Sequence, residues 1–296
     1  MELRWLLTAL ACQTLVAAPA DAQSWREIQA AFGRTGTVAE GVLHISLPRT
    51  DLEVRLEGEV LEPDVYADGW IGFQPLDGGR MRMMGELPVL VEELQPVLDE
   101  MRRQGVEVTA IHNHLIGTSP PIMFTHFRAS GNGIELARRI RSVVERTAMP
   151  LEATERKEPP TRDWSEIEAI LDAEGEASGK VVSFNFPRNE RLSMMGTPMP
   201  STDALETASE LNFQDLGDGR VAAVGEYIVV ESEAVPVTRK LEEEGFNVTA
   251  LHNHMLEESP RLLFLHFWKF GDPNALARAA RAALDLTNSG REDEGS

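Results

Sequence analysis

The chain is written twice. "WREI" (Trp25–Ile28) returns as "WSEI" (Trp164–Ile167), "LPR" (Leu47–Arg49) as "FPR" (Phe186–Arg188), and "FQPLDGGR" (Phe73–Arg80) as "FQDLGDGR" (Phe213–Arg220). Gly85-Glu86 returns as Gly225-Glu226, Pro96-Val97 as Pro236-Val237, and "VTAIHNHLIG" (Val108–Gly117) as "VTALHNHMLE" (Val248–Glu257), always at an offset of 139 or 140 residues. Such a repeat excludes one large domain: the 296-residue chain reads as two copies of a unit of about 125 residues, an ordinary domain size. The first copy is expected over residues 23–149 and the second over 164–288. The Pro-rich, charged stretch 150–163 reads as a linker and residues 289–296 as a disordered acidic tail.

Residues 1–22 read as an export signal: Arg4, an apolar run from Trp5 to Ala18, and small residues ending at Ala22. The run is too short for a membrane span. The expected location is therefore periplasmic or secreted, with a lipoprotein anchored at Cys12 as the alternative. Cys12 is the sole cysteine, so cleavage after Ala22 leaves no thiol, and any metal chemistry must use histidine and carboxylate. The net charge of -20, with no local basic patch, argues against nucleic acid and anionic membrane surfaces as partners.

Within each unit the pattern predicts a short helix after the Trp, several strands, and a helix (Glu93–Gln104, stopped by Gly105; Glu233–Glu244, stopped by Gly245). Two histidine-bearing strands and a closing amphipathic helix follow. The expected fold is α+β: two homologous tandem repeats, each a mostly antiparallel sheet flanked by helices, paired pseudo-symmetrically.

Six of the seven histidines belong to one motif, His112, His114 and His126, and its copy His252, His254 and His266. Residues two apart on a strand share a face, and a hairpin folded about Ser119 would set His112 opposite His126 and His114 opposite Phe124. Centred on Ser259, the second hairpin would do the same for His252 and His266. Opposed Cβ atoms are ~5 Å apart, so three imidazoles of each repeat can converge on one divalent ion. Zinc is expected first, with manganese, nickel or iron as alternatives, and a coordination position is left open. A hydrogen-bonded histidine core is the competing explanation.

Glu86 and Glu226 recur among apolar strand residues as a fourth ligand or general base, against the alternative of solvent-facing strand carboxylates. Arg80 and Arg220, after Gly-rich turns, are candidates for pairing with a substrate carboxylate. Asn113 and Asn253 are expected to brace the far face of the sheet. The "FLHFW" aromatics (Phe264–Trp268) are expected in the core. His44, whose equivalent is Ser183, is expected to be structural.

The paired "VTA[IL]HNH" strands, the "FTHF" and "FLHFW" strands and the preceding "GE" resemble the LppY/LpqO family, exported bacterial proteins with a domain of undefined function. The resemblance covers nearly all of the mature chain and implies no reaction. At the level of the site alone, the pattern is similar to acetolactate decarboxylase and related three-His domains. That similarity implies zinc held by His112, His114 and His126, with help from Glu86 and Arg80, and again by His252, His254 and His266 with Glu226 and Arg220. The residues thus point to a metal-dependent lyase or hydrolase acting on a small molecule. A non-catalytic metal- or ligand-binding protein and a structural envelope module are the alternatives.

Overall fold

The computed structural model describes residues 21–152 and 158–290. Residues 1–20 of the expected export signal, with Cys12, and residues 291–296 of the expected tail lie outside the described residues, as do residues 153–157 of the expected linker; Ser289, expected in the disordered tail, is instead buried and bridges to Arg188. No helix among the described residues is long and apolar enough to cross a membrane.

The first repeat runs α1 (Asp21–Phe32), β1 (Thr37–Ala39), β2 (Val42–Pro48), β3 (Val54–Leu56), β4 (Glu59–Leu61), α2 (Pro63–Tyr66), β5 (Asp68–Leu76), β6 (Arg80–Leu90), α3 (Val91–Gln104), β7 (Glu107–His112), β8 (Ile122–Gly131) and α4 (Gly133–Val144). The second repeats this order: α5 (Ser165–Leu171), β9 (Glu176–Ser178), β10 (Val181–Pro187), β11 (Leu192–Met194), β12 (Thr197–Met199), β13 (Ala208–Asp215), β14 (Val221–Val229), α6 (Glu231–Glu243), β15 (Asn247–His252), β16 (Glu258–Ser259), β17 (Leu263–Gly271) and α7 (Pro273–Leu284). Each repeat builds one antiparallel six-stranded sheet, in the order β1-β2-β5-β6-β8-β7 and β9-β10-β13-β14-β17-β15. This is the α+β architecture in two tandem copies.

Strand alternation divides each sheet into an apolar outer face and an inner face that mixes apolar with polar side chains. On β6, Met83, Leu87 and Val89 point outward to the helices, while Met84 and Glu86 point inward to the other repeat. On β17, Leu265 and Phe267 face the helices, and Phe264, His266 and Trp268 face inward. Helices cover the outer face, and on the inner face the polar row of the central strands, Glu210 and Asn212 among them, lines the space between the two sheets.

The "GE" motif uses this alternation. A β-carbon at Gly85 would lie 2.3 Å from the Trp70 carbonyl oxygen and 2.7 Å from Phe127 Cζ, and one at Gly225 only 2.3 Å from Phe267 Cζ. Gly therefore lets the facing Phe ring lie flat on the outer surface of the sheet while the next residue, Glu, points inward.

The repeats exchange arms. The β3–β4 hairpin of the first packs Val54, Leu56 and Leu61 with Ala222, Val224 and Trp268 of the second. Leu192, Met194 and Met199 of the β11–β12 hairpin pack in turn with Val42, Trp70 and Met84 of the first. Equivalent glutamines fasten both arms: Gln74 Nε2 donates to Pro198 O (3.0 Å) and Gln214 Nε2 to Val60 O (2.8 Å). The recurring "PR" arginines, Arg49 and Arg188, are fully buried at the base of the arms. Arg49 bridges Asp51, Glu93 and the Pro88 carbonyl; Arg188 bridges Glu190, Glu233 and the Ile228 carbonyl.

Candidate metal centre

The histidine strands differ from the expected hairpin by two residues. His112 pairs with Phe124 and His126 with Ala110; in the second copy His252 pairs with Phe264 and His266 with Ala250. The segment after His112 is not a tight turn, because it leaves the sheet to meet the arm: Arg55 and Ser119 exchange both backbone hydrogen bonds at 2.9 Å. In the second repeat β16 pairs with β11 in the same way. A shift of two preserves the face. His114 and His254 lie just beyond the strand ends, and their side chains still reach the interface.

There the two triads meet. Within the first, the His112 ring centroid lies 5.0 Å from those of both His114 and His126; within the second, His252 lies 5.1 Å from His254 and 4.9 Å from His266. Across the interface the rings stack in pairs: His112 on His252 at 3.5 Å, His114 on His266 at 3.7 Å and His126 on His254 at 3.7 Å. Phe124 covers the other side of His114 (3.5 Å) and Phe264 that of His254 (3.4 Å). One triad per repeat was expected, with their mutual placement open; the structure stacks the two into one cluster with two layers.

Glu86 and Glu226 enter the same cluster, each directly across the sheet from a histidine of its own triad, His126 and His266. Glu86 Oε2 lies 2.7 Å from His126 Nε2 and 3.2 Å from His114 Nε2; Glu226 Oε2 lies 2.9 Å from His266 Nε2 and 3.5 Å from His254 Nε2. The Nδ1 atoms of His112 and His252 face the carbonyls of Asn113 (3.4 Å) and Asn253 (3.3 Å), and because a carbonyl only accepts, the proton sits on Nδ1. Their Nε2 lone pairs are then left for the centre. All six buried Nε2 atoms, and Glu86 Oε2, lack a hydrogen-bond partner among the described residues. Buried polar atoms gathered this closely without satisfied hydrogen bonds are costly.

Burial, and then the charge each ring would impose on its neighbours, hold His112, His114 and His254 far below the usual imidazole range and His252 at about 2. Burial likewise lowers His126 to about 3. Burial thus favours the neutral form of these five rings, which is the form that binds metal. Burial and the facing Glu226 raise Glu86 well above the ordinary carboxylate range.

Three sets of side chains gather donor atoms within 4.8 Å of one another: Glu86 with His112, His114, His126 and His254; His114 with His252, His254 and His266; and Glu206 with Glu226 and His254. Glu206, which lies 3.7 Å from His254 Nδ1, escaped the sequence reading because its equivalent is Tyr66, set edge-on to His114. A cavity of about 780 Å³ between the sheets reaches His114, His266, Glu86 and Glu226. Its wall is acidic: Asp68, Glu206 and Glu210 line it, and among the described residues Lys180 is the one lysine or arginine there. Asp68 and Glu210 also went unnoticed, their equivalents being Ala208 and Trp70.

The arginines are a correction. Arg80 is exposed and donates to Ser130 Oγ (2.7 Å), and Arg220 is an exposed partner of Asp218 and Glu59. Each is six residues from its glutamate along an extended strand, about 20 Å at the usual rise, and neither lines the cavity. Asn253 is also placed differently from expectation: its amide donates to Thr109 O of the other repeat (3.1 Å) rather than bracing its own sheet. His44 stacks against Trp70 and meets the Ala204 carbonyl at 3.2 Å.

Fold and centre define a class: a duplicated α+β protein whose repeats share one histidine- and carboxylate-lined cluster. The chain belongs to the family described as Domain of Unknown Function (DUF1259), which matches residues 26–146 and again 165–286. No curated protein matches it. Among solved structures it is similar to a trimeric bacterial microcompartment shell protein, PduB. The identity is 11% over 86% of this chain and 90% of that one, with a TM-score of 0.22, too low to carry an argument.

Proposed function

We propose that this is an exported, LppY/LpqO-like protein that binds divalent metal, zinc in the first place, between its repeats and uses it on a small substrate. The single observation that carries the reading is the convergence of six buried Nε2 atoms, none with a satisfied hydrogen bond, on Glu86 and Glu226. A cation relieves the repulsion among these groups, and His with carboxylate is a donor set suited to first-row ions. Catalysis is favoured over carriage because the cavity reaches the ligand residues His114, His266, Glu86 and Glu226. Bound metal would supply Lewis acidity to a lyase- or hydrolase-type reaction, with one of the two glutamates as the proton-handling group.

Elemental analysis of the purified mature protein tests the reading, together with melting curves in zinc, manganese and nickel. Bound metal and a rise in Tm that is abolished by His126→Ala and His266→Ala are expected. No metal and no shift would leave the structural-module alternative. Retention of every measurable function by Glu86→Gln and Glu226→Gln would favour a carrier.

A further inference from the structure

We infer that the centre is dinuclear: two divalent ions side by side, one in each histidine layer, close enough to be bridged by one ligand. The inference rests on the metal-binding reading above and adds number and spacing to it. Three observations carry it.

The first is donor supply. Six imidazoles and two carboxylates converge, whereas one first-row ion takes four to six donors, and a tetrahedral zinc site is filled by four. The second is layering. Each triad has its own centre, with ring centroids 4.9 to 5.1 Å from the central histidine, and every ring of one triad is stacked 3.5 to 3.7 Å from a ring of the other. Ions held by the two triads inherit roughly that separation, and paired-metal sites are typically ~3.5–4 Å apart. The third is sharing. His114 and His254 each belong to a donor set centred on the opposite repeat as well as to their own, so the two sets overlap and neither layer is an isolated site.

Each layer also has its own carboxylate, Glu86 or Glu226, so the second ion is not left with imidazoles alone. The two positions are nevertheless not identical. Beside His254 stands Glu206, and at the matching place beside His114 stands Tyr66. The layer next to Glu206 has one more carboxylate within reach of its donor set and should fill first.

The experiment uses the full mature chain. Metal is stripped with chelator, Mn2+ is titrated back, stoichiometry is read by native mass spectrometry and the spectrum by electron paramagnetic resonance. Two ions per chain with a spin-coupled spectrum are expected, with two resolved binding steps that merge toward one affinity in Glu206→Gln. One ion per chain would overturn the dinuclear centre while leaving the metal-binding reading intact. Two ions with uncoupled spectra would overturn the shared centre. No bound ion would overturn both readings at once.

Discussion

The hydroxyl of Thr109 donates to the carbonyl oxygen of His254 across the repeat interface at 2.6 Å, and Thr249 returns the same bond to His114 O at 2.6 Å. Each repeat thereby positions the loop histidine of the other. Thr109→Val or Thr249→Val leaves that carbonyl without its donor at nearly constant volume. A loss of about 1–2 kcal/mol each is expected in denaturant melts. Zinc affinity should fall in the same variants; unchanged affinity would mean that the loops are held without these bonds.

Gly85 and Gly225 have no room for a side chain. Gly85→Ala and Gly225→Ala should destabilise by about 1–3 kcal/mol, the usual range for overpacking, and should weaken metal binding by moving Glu86 or Glu226. A melting temperature within a degree of the parent would refute the packing account.

The buried guanidinium of Arg49 satisfies Asp51, Glu93 and Pro88 O at the base of an arm. Arg49→Ala strands two carboxylates beside the interface, a change that typically costs about 3–5 kcal/mol. Arg80→Ala and Arg220→Ala, by contrast, should leave metal content and affinity as they are. Equal damage from all three would contradict the placement of these residues.

Metal-free protein should be most stable in mildly acidic solution. Burial, helped by Asp64, pushes Asp68 up to about 8, whereas an unfolded Asp releases its proton near pH ~3.9. Between those values the folded chain keeps a proton that the unfolded chain has lost, so stability present below about pH 4 drains away as pH climbs toward about 8. His112, His114, His126, His252 and His254 act with the opposite sign: the unfolded chain takes up protons below about pH 6.5 while burial keeps these folded rings neutral. Melting temperature measured in chelator from pH 4 to 9 should therefore pass through a maximum, and Asp68→Asn should flatten its alkaline side. An alkaline limb of the same slope in the variant would exclude Asp68 as its source.

Much of this was legible in the residues, because the strongest signals are local and occur twice. Helix α3 ends at Gln104 and Gly105 takes the left-handed cap (φ 65°), as its position after the apolar pattern implied. The inward face shared by the histidines survived the two-residue slip in pairing, since strand side chains alternate with period two. The slip itself was hidden because "GTSPP" reads as a turn, while its Ser119 is engaged by Arg55 of a distant hairpin. The stacking of His112 on His252 was hidden for a similar reason: contact between sheets leaves no trace in either local pattern. Glu206, Glu210 and Asp68 were missed because recurrence was the guide, and at these positions the two copies differ. Arg80 and Arg220 misled in the opposite direction, since recurrence marks a turn as readily as a site.

The interlocked arms carry one more implication. Because each hairpin lies over the opposite half, the halves hold each other in register whether or not the chain between them is intact. A protease cut there should release no free half under native conditions, and two fragments produced separately should find each other and rebuild the cluster from both sides.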